Sequence, residues 1–113
     1  MTHHIPYSEE QLKLMLFSAS KKDFAILYDV YAPLLFGFIL RILPEECAAE
    51  KALTNTFIHI RTNAKDYQNC KLKILTWMLN IARKKATEEL VLQQLKNEVF
   101  ANYEYFENLN ILE

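Results

Sequence analysis

The sequence is poor in the residues that make tight turns, since its 113 residues include one glycine and three prolines. A β-rich fold needs such residues between many short strands, so this composition argues against one. No apolar stretch approaches the roughly 18 uninterrupted apolar residues that a membrane span requires. We therefore expect a soluble, all-α protein with no membrane span.

Cysteine is also scarce, with Cys47 and Cys70 far apart in the chain. Two cysteines that are not clustered form neither a disulfide framework nor a metal site, so both are expected to be ordinary thiols. Residues 1–8 lack the basic head and apolar core of a secretory signal. These features predict a cytoplasmic protein.

Motifs for catalysis and for cofactor binding are missing as well. His3, His4 and His59 have no ligand partner at a useful spacing. There is no glycine-rich phosphate loop, no zincin motif and no nucleophile elbow. We expect a protein that is not an enzyme, with no catalytic residue, no metal and no cofactor.

The charge that is present is unevenly distributed, although the formal net charge is only −1. The sequence from Arg61 to Lys85 contains several lysines and arginines and a single acid, Asp66. From Glu88 onward most charged residues are acidic, and Lys96 is the only cation. A basic stretch inside a neutral protein indicates either a polyanion-binding surface or a solvated helix face. The charges alone leave both open.

Four or five helices follow from the spacing of apolar residues. Ser8 followed by Gln11 has the form of a capping box, so a first helix should begin at Glu9. Asp23 is predicted to cap a second, strongly apolar helix. Pro33 lies inside it and removes a backbone donor, so we expect a kink or a break into two pieces.

Pro44 is predicted to be the first residue of a third helix, with acids in its first turn. One face of this helix is predicted to consist of Ala49, Ala52, Leu53, Thr56, Phe57 and Ile60. The polar stretch 62–70 is typical of a loop, and a fourth helix should begin near Lys71 or Leu72. The apolar pattern beyond Glu88 either extends this helix or folds back. The inner face of the fourth helix is predicted to consist of Leu75, Met78, Leu79, Ala82 and Ala86.

Three strings carry a familiar pattern: DFAILYDVYAPLLFGFILRIL, AAEKALTNTFIHI and TWMLNIARKKATEEL. They resemble successive parts of region two in extracytoplasmic-function sigma factors of the sigma-70 family, over residues 23–90. The resemblance implies the helical bundle of that region and a role in transcription initiation. It also implies one domain, with an N-terminal helix in residues 1–22 and an acidic helical extension in residues 91–113.

The resemblance implies two main partners. In such sigma factors the helix that matches residues 49–61 docks on the clamp helices of the largest subunit of core RNA polymerase. The candidate polymerase contacts are Glu50, Leu53, Thr56, Phe57 and Arg61.

The loop and helix that follow resemble the part that holds the single-stranded minus-ten promoter element. Basic groups there hold phosphates, and a flat side chain can stack on an extruded base. For Trp77, and for Tyr67 as a second flat side chain, packing in the core is the open alternative. The candidate DNA contacts are Lys71, Lys73, Trp77, Asn80, Arg83, Lys84 and Lys85.

The sequence departs from the family pattern in several places. Lys51, Thr54 and Asn55 stand where the family usually has an acid, a glutamine and an acid, and Leu72 replaces a loop glycine. Other departures are Arg61 and Lys84. No pattern of the family's second, helix-turn-helix domain follows residue 90.

These departures leave a second function open. The chain could be a degenerate sigma-like regulator that binds an anti-sigma factor or the polymerase clamp, or that self-associates through its last helix, with little DNA affinity. A further hypothesis is that the acidic residues 98–113 fold across the basic helix and compete with DNA.

Overall fold

The computed structural model describes residues 5–18 and 20–111, and every regular element in that part of the chain is a helix. The predicted all-α fold of four or five helices is confirmed. His3 and His4 lie outside the described residues. The elements are α1 (Glu9–Phe17), α2 (Lys21–Ile42), α3 (Glu46–Thr62), a 3₁₀ helix (Ala64–Asn69) and α4 (Ile74–Ile111).

The start of α1 is the predicted capping box. The Gln11 backbone N–H donates to Ser8 Oγ at 3.1 Å, and the Ser8 backbone N–H donates to Gln11 Oε1 at 2.9 Å. Both bonds satisfy amides that have no partner inside the helix. The prediction for this helix start is confirmed.

The start of α2 differs from the prediction. Ser20 is the cap, because its Oγ accepts the backbone N–H of Asp23 at 3.3 Å. Asp23 lies in the first turn instead, where its negative charge faces the positive end of the helix dipole. The helix runs through Pro33 without interruption, so the predicted break into two pieces is wrong.

Among the described helices, α2 alone is long and apolar enough to cross a membrane by length and composition, with a mean hydropathy of 1.6. A core helix of a soluble protein meets the same criterion. In this structure α2 packs against α3 and α4 and supplies Leu27, Tyr31, Leu35 and Ile39 to the core. The absence of a membrane span stays a prediction.

The start of α3 also differs from the prediction, because Pro44 is not its first residue. Glu45 is the cap, and its carboxylate accepts the backbone N–H of Ala48 at 2.7 Å and that of Cys47 at 3.2 Å. The bond from Ala48 is the main reason that the pKa of Glu45 is lowered. The helix therefore begins at Glu46, after a carboxylate cap.

The core lies between α2, α3 and α4, with α1 packed beside it. Small side chains on α3 let α4 approach closely, since Ala48, Ala49 and Ala52 are almost fully buried. The predicted apolar face of α3 is confirmed. On α4, Met78, Ala82 and Ala86 are buried as predicted, whereas Leu75 and Leu79 are half-buried.

The fourth helix begins at Ile74, later than predicted, after a non-helical segment at residues 70–73. The Glu9 carboxylate of α1 accepts the backbone N–H of Ile74 at 3.4 Å, so a residue distant in sequence helps to satisfy this helix start. The helix then continues for 38 residues, about 57 Å, and projects from the bundle. Residues 91–111 therefore extend α4, and none of these described residues folds back across the basic segment.

Candidate polymerase and nucleic-acid interface

A basic stripe lies along the outer side of α4. Lys73, Trp77, Asn80 and Lys84 are spaced by four, three and four residues, so they share one face of the helix. Lys73, Asn80 and Lys84 are exposed and Trp77 is half-buried. Among the described residues, neither lysine forms an ion pair with a carboxylate, which leaves both charges available for phosphates.

Arg83 and Lys85 lie on either side of this basic stripe. The Arg83 guanidinium is exposed and its central carbon lies 5.8 Å from the centroid of the Phe38 ring on α2. Lys85 is half-buried, and its Nζ lies 3.4 Å from Glu88 Oε1. The structure therefore keeps Arg83 near the stripe and turns Lys85 toward a groove beside Asn55.

The segment before α4 is fixed by Tyr67, whose hydroxyl donates to the backbone carbonyl of Leu72. Tyr67 is 3% exposed, and burial raises its pKa. It therefore belongs to the core, which agrees with the packing alternative left open for Tyr67. Lys71 and Lys73 are exposed on this segment, whose position is fixed by the hydrogen bond to Leu72.

Trp77 packs against Tyr67, with ring centroids 5.2 Å apart and ring planes inclined at 52°. Its half-buried state means that one part of the indole joins the core and another part reaches solvent. The packing interpretation therefore describes one part of Trp77, and contact with DNA stays a prediction for the exposed part.

Three of the five candidate polymerase contacts lie inside the bundle. Thr56 is fully buried and its hydroxyl donates to the Ala52 carbonyl at 2.7 Å. Leu53 and Phe57 are also buried, and the Phe57 ring centroid lies 4.7 Å from that of Tyr28. Leu53, Thr56 and Phe57 consequently hold α3 in place, and their prediction as surface contacts is corrected.

The outward side of α3 carries the other two candidates. Glu50, Thr54, Ile58 and Arg61 recur at spacings of three or four residues, and all four are exposed. We call this set the α3 outer face. The Arg61 guanidinium carbon lies 4.9 Å from the centroid of the Phe24 ring on α2, which orients the side chain.

Sequence reasoning missed Ile58 as a surface residue of interest. Ile58 is 56% exposed although it is a large apolar side chain. The signal was available, because Ile58 falls outside the periodic apolar positions that include Phe57 and Ile60. A single exposed apolar residue is ordinary on a protein surface, so Ile58 is of interest only together with the charged residues Glu50 and Arg61 on the same side of α3.

His59 of α3 lies near the positive charges of Lys84 and Lys85 on α4. It is half-buried on α3, and its pKa is lowered first by burial and then by the positive charges of Lys85 and Lys84. The lowered pKa favours the neutral imidazole beside the basic stripe. In the described part of the chain, no group of three or more His, Cys, Asp or Glu side chains is arranged to hold a metal ion.

Comparison with known proteins gives a low-identity relationship to sigma factors. The chain is 24% identical over 80 residues to the ECF RNA polymerase sigma factor SigK of Mycobacterium tuberculosis strain H37Rv, covering 71% of this chain and 43% of that protein. It is 24% identical over 93 residues to SigK of Mycolicibacterium vanbaalenii, covering 80% of this chain and 47% of that protein.

The chain thus spans less than half the length of the curated relatives it matches. No family model matches it. No solved structure matches it either. Together with the all-α bundle, the similarities support a distant, sigma-factor-like relationship.

Proposed function

We propose that this chain is a cytoplasmic, non-enzymatic sigma-like module of transcription initiation. It binds core RNA polymerase through the α3 outer face and single-stranded minus-ten promoter DNA through the basic stripe of α4. The observation that carries the proposal is the unpaired, exposed basic stripe, found within the region that is similar to sigma factors.

DNA binding by the basic stripe needs charge and a flat side chain. Lys73 and Lys84 can each neutralise a phosphate, which releases counterions and makes binding weaken as salt rises. The solvent-facing part of Trp77 offers a surface for one base, and such stacking contributes about 1 to 3 kcal/mol. Lys71 and Arg83 extend the positive surface at its two ends.

Polymerase binding by the α3 outer face rests on its mixed character. Ile58 provides an apolar centre, and Glu50 and Arg61 place opposite charges on either side of it along the helix. Protein interfaces combine an apolar centre with a polar rim in this way. We propose the clamp helices of the largest polymerase subunit as the surface that it meets.

A second candidate function is a sigma-like regulator that binds the polymerase clamp or an anti-sigma factor and has little affinity for DNA. Two observations favour it: Tyr67 is buried, and Lys85 is paired with Glu88, so both are withdrawn from a DNA surface. Polymerase binding without DNA capture would distinguish this function from the first.

The polymerase contact is tested by titrating the purified chain into core RNA polymerase. We expect Ile58→Asp combined with Arg61→Glu to weaken binding by about tenfold or more, because an apolar centre and a rim charge are both lost. Arg41→Glu is the matched control, since Arg41 is exposed near the far end of α2 and lies off the α3 outer face. Equal binding by wild type and the double variant would contradict this site, and absence of binding by the wild type would contradict the function.

A further inference from the structure

A buried carboxylate lies on the core-facing side of α4. Ala82, Ala86 and Glu89 are spaced by four and three residues, so they share the side of the helix that packs on α3. The two alanines are fully buried, and Glu89 is 7% exposed. Such a position is normally apolar, because removing a carboxylate from water costs free energy unless a partner satisfies it. Glu89 is therefore expected to have a partner.

The described chain supplies no such partner. No ion pair or hydrogen bond reaches the Glu89 side chain from any described residue. Every fully buried side-chain oxygen or nitrogen in this part of the chain has a hydrogen-bond partner. The oxygens of Glu89 have none, so they must be accessible to solvent although the rest of the residue is covered. The carboxylate therefore points out of the core into an open groove.

This groove runs between α3 and α4 as two adjoining cavities that share Asn55 and Glu89. The first has a volume of about 510 Å³ and continues along α4 to Val91 and Leu92. The second has a volume of about 550 Å³ and continues along α3 to Cys47. Glu89 thus lies in the middle, between an apolar wall on α4 and a polar rim on α3. We call this site the Glu89 groove.

The charges along the Glu89 groove favour a cationic ligand. Its acids are Glu50, Glu88 and Glu89, and its cations are Lys51 and Lys85. Lys85 Nζ lies 3.4 Å from Glu88 Oε1, so these two charges offset each other. Among the described residues, neither lysine forms an ion pair with Glu89. The groove therefore keeps an excess of negative charge, and its most buried carboxylate is available to a ligand.

The thiol of Cys47 responds to the same negative charge. Cys47 is exposed and lines the α3 end of the Glu89 groove. Its pKa is raised, first by the charge of Glu45 and further by the charges of Glu50 and Glu46. A negative charge is therefore disfavoured at this end of the groove, and a positive charge is favoured.

An arginine side chain fits this environment better than a metal ion does. In the described part of the chain, no three His, Cys, Asp or Glu side chains are arranged to hold a metal ion. A guanidinium can donate two parallel hydrogen bonds to one carboxylate and is weakly hydrated, which suits a largely buried acceptor such as Glu89. The methylene stem of an arginine can lie along an apolar wall such as Val91 and Leu92. The two cavities are larger than one side chain needs, so they also leave room for neighbouring residues of a peptide.

We infer that the Glu89 groove binds an arginine side chain of a protein partner, with the Glu89 carboxylate as the acceptor of its guanidinium. The groove borders the α3 outer face at Glu50 and Thr54. It does not depend on the function proposed above, because it follows from the chemistry of the groove and is tested without polymerase or DNA.

Titration of the full chain with short peptides, followed by NMR of the backbone amides, tests the inference. The probes are two acetylated and amidated tripeptides, leucine-arginine-leucine and leucine-citrulline-leucine, which differ in the charge of the central side chain. We expect the arginine peptide to bind about tenfold or more tightly, because a bidentate, charge-assisted pair is lost with citrulline. Equal affinities, or shifts confined to amides away from the groove, would overturn the inference.

Ethylguanidinium separates a protein partner from a small free cation. It carries the same head group without neighbouring residues, so we expect it to bind more weakly than the arginine peptide. Binding as tight as that of the peptide would assign the groove to a small cation and overturn the assignment to a protein partner.

The variant Glu89→Gln removes the charge and keeps the size of the side chain. We expect it to weaken binding of the arginine peptide about tenfold or more. Glu104→Gln is the matched control, because it removes the same charge from an exposed position about 22 Å further along α4 and should leave the affinity unchanged. Unchanged affinity in the Glu89→Gln chain contradicts the site.

Urea unfolding separates a binding role of Glu89 from a structural one. The Glu89→Gln chain should be at least as stable as wild type, because the substitution removes a largely buried charge that has no partner among the described residues. A marked loss of stability would show that the carboxylate serves the fold, and it would overturn the inference.

Discussion

Several candidate binding residues of α3 and the 3₁₀ helix are buried, so their roles are structural. Thr56, Phe57 and Tyr67 were assigned to binding by resemblance, yet each has its partners inside the protein: a carbonyl for Thr56, aromatic rings for Phe57, and the Leu72 carbonyl for Tyr67. A buried hydroxyl that is satisfied within the fold stabilises it and leaves no donor for a ligand. We therefore propose exposed residues such as Ile58 and Lys84 for the contacts with polymerase and DNA.

Tyr31 gives a pH-dependent prediction at the residue scale. It is 1% exposed, and burial, followed by the nearby charge of Glu9, raises its pKa from 10.0 to about 12. Because the folded chain keeps this proton to higher pH than the unfolded chain does, stability is fully present below about pH 10 and is lost as the pH rises toward 12. We expect a loss of about 2 to 3 kcal/mol.

Urea unfolding between about pH 9 and pH 12 measures this loss, and Tyr31→Phe is the matched variant. Without the phenol, the free energy of unfolding should fall less steeply over that range. An identical pH dependence in both chains would show that Tyr31 does not titrate as described.

At the scale of the helix, the caps determine where α2 and α3 begin. The prediction placed Asp23 at the cap of α2, but the Ser20 hydroxyl occupies that role three residues earlier. We expect Ser20→Ala to lower the free energy of unfolding by about 1 kcal/mol, as loss of a capping oxygen does. Asp23→Ala removes only a charge near the helix dipole and should cost about half as much or less.

Thermal or urea unfolding of the two variants decides between these caps. A larger loss for Asp23→Ala than for Ser20→Ala would support the sequence-based assignment and contradict the structural one. Equal losses would also contradict it.

Several features that depend on local spacing were predicted from the sequence, although the caps of α2 and α3 were not. The capping box at Ser8 and the apolar face of α3 follow from residues within one or two turns of each other. The Glu9 contribution to the start of α4 joins residues 65 positions apart, so no local pattern contains it. The same is true of Tyr67, whose burial depends on contacts with Phe17 and Trp77 from two other helices.

At the scale of the whole molecule, the shape is elongated because α4 extends beyond the core that it forms with α2 and α3. The structure measures 68 × 32 × 25 Å, with a radius of gyration of 18.8 Å, whereas a compact chain of this length would have about 13 Å. The basic stripe and the α3 outer face lie on the bundle, and the last turns of α4 lie beyond it. The surfaces proposed for polymerase and for DNA are therefore both on the bundle.

The central claim is that this molecule binds single-stranded promoter DNA when it is held on polymerase. The most direct measurement is the affinity of the complex of chain and core polymerase for a fluorescent minus-ten-like oligonucleotide at several salt concentrations. We expect Lys73→Gln with Lys84→Gln to weaken binding and to reduce the slope of log affinity against log salt by about 1.4, or about 0.7 for each lost phosphate contact. Lys21→Gln with Lys22→Gln removes the same charge at the start of α2 and should leave that slope unchanged. An equal slope for both double variants, or no DNA capture by the wild-type complex, would contradict the account.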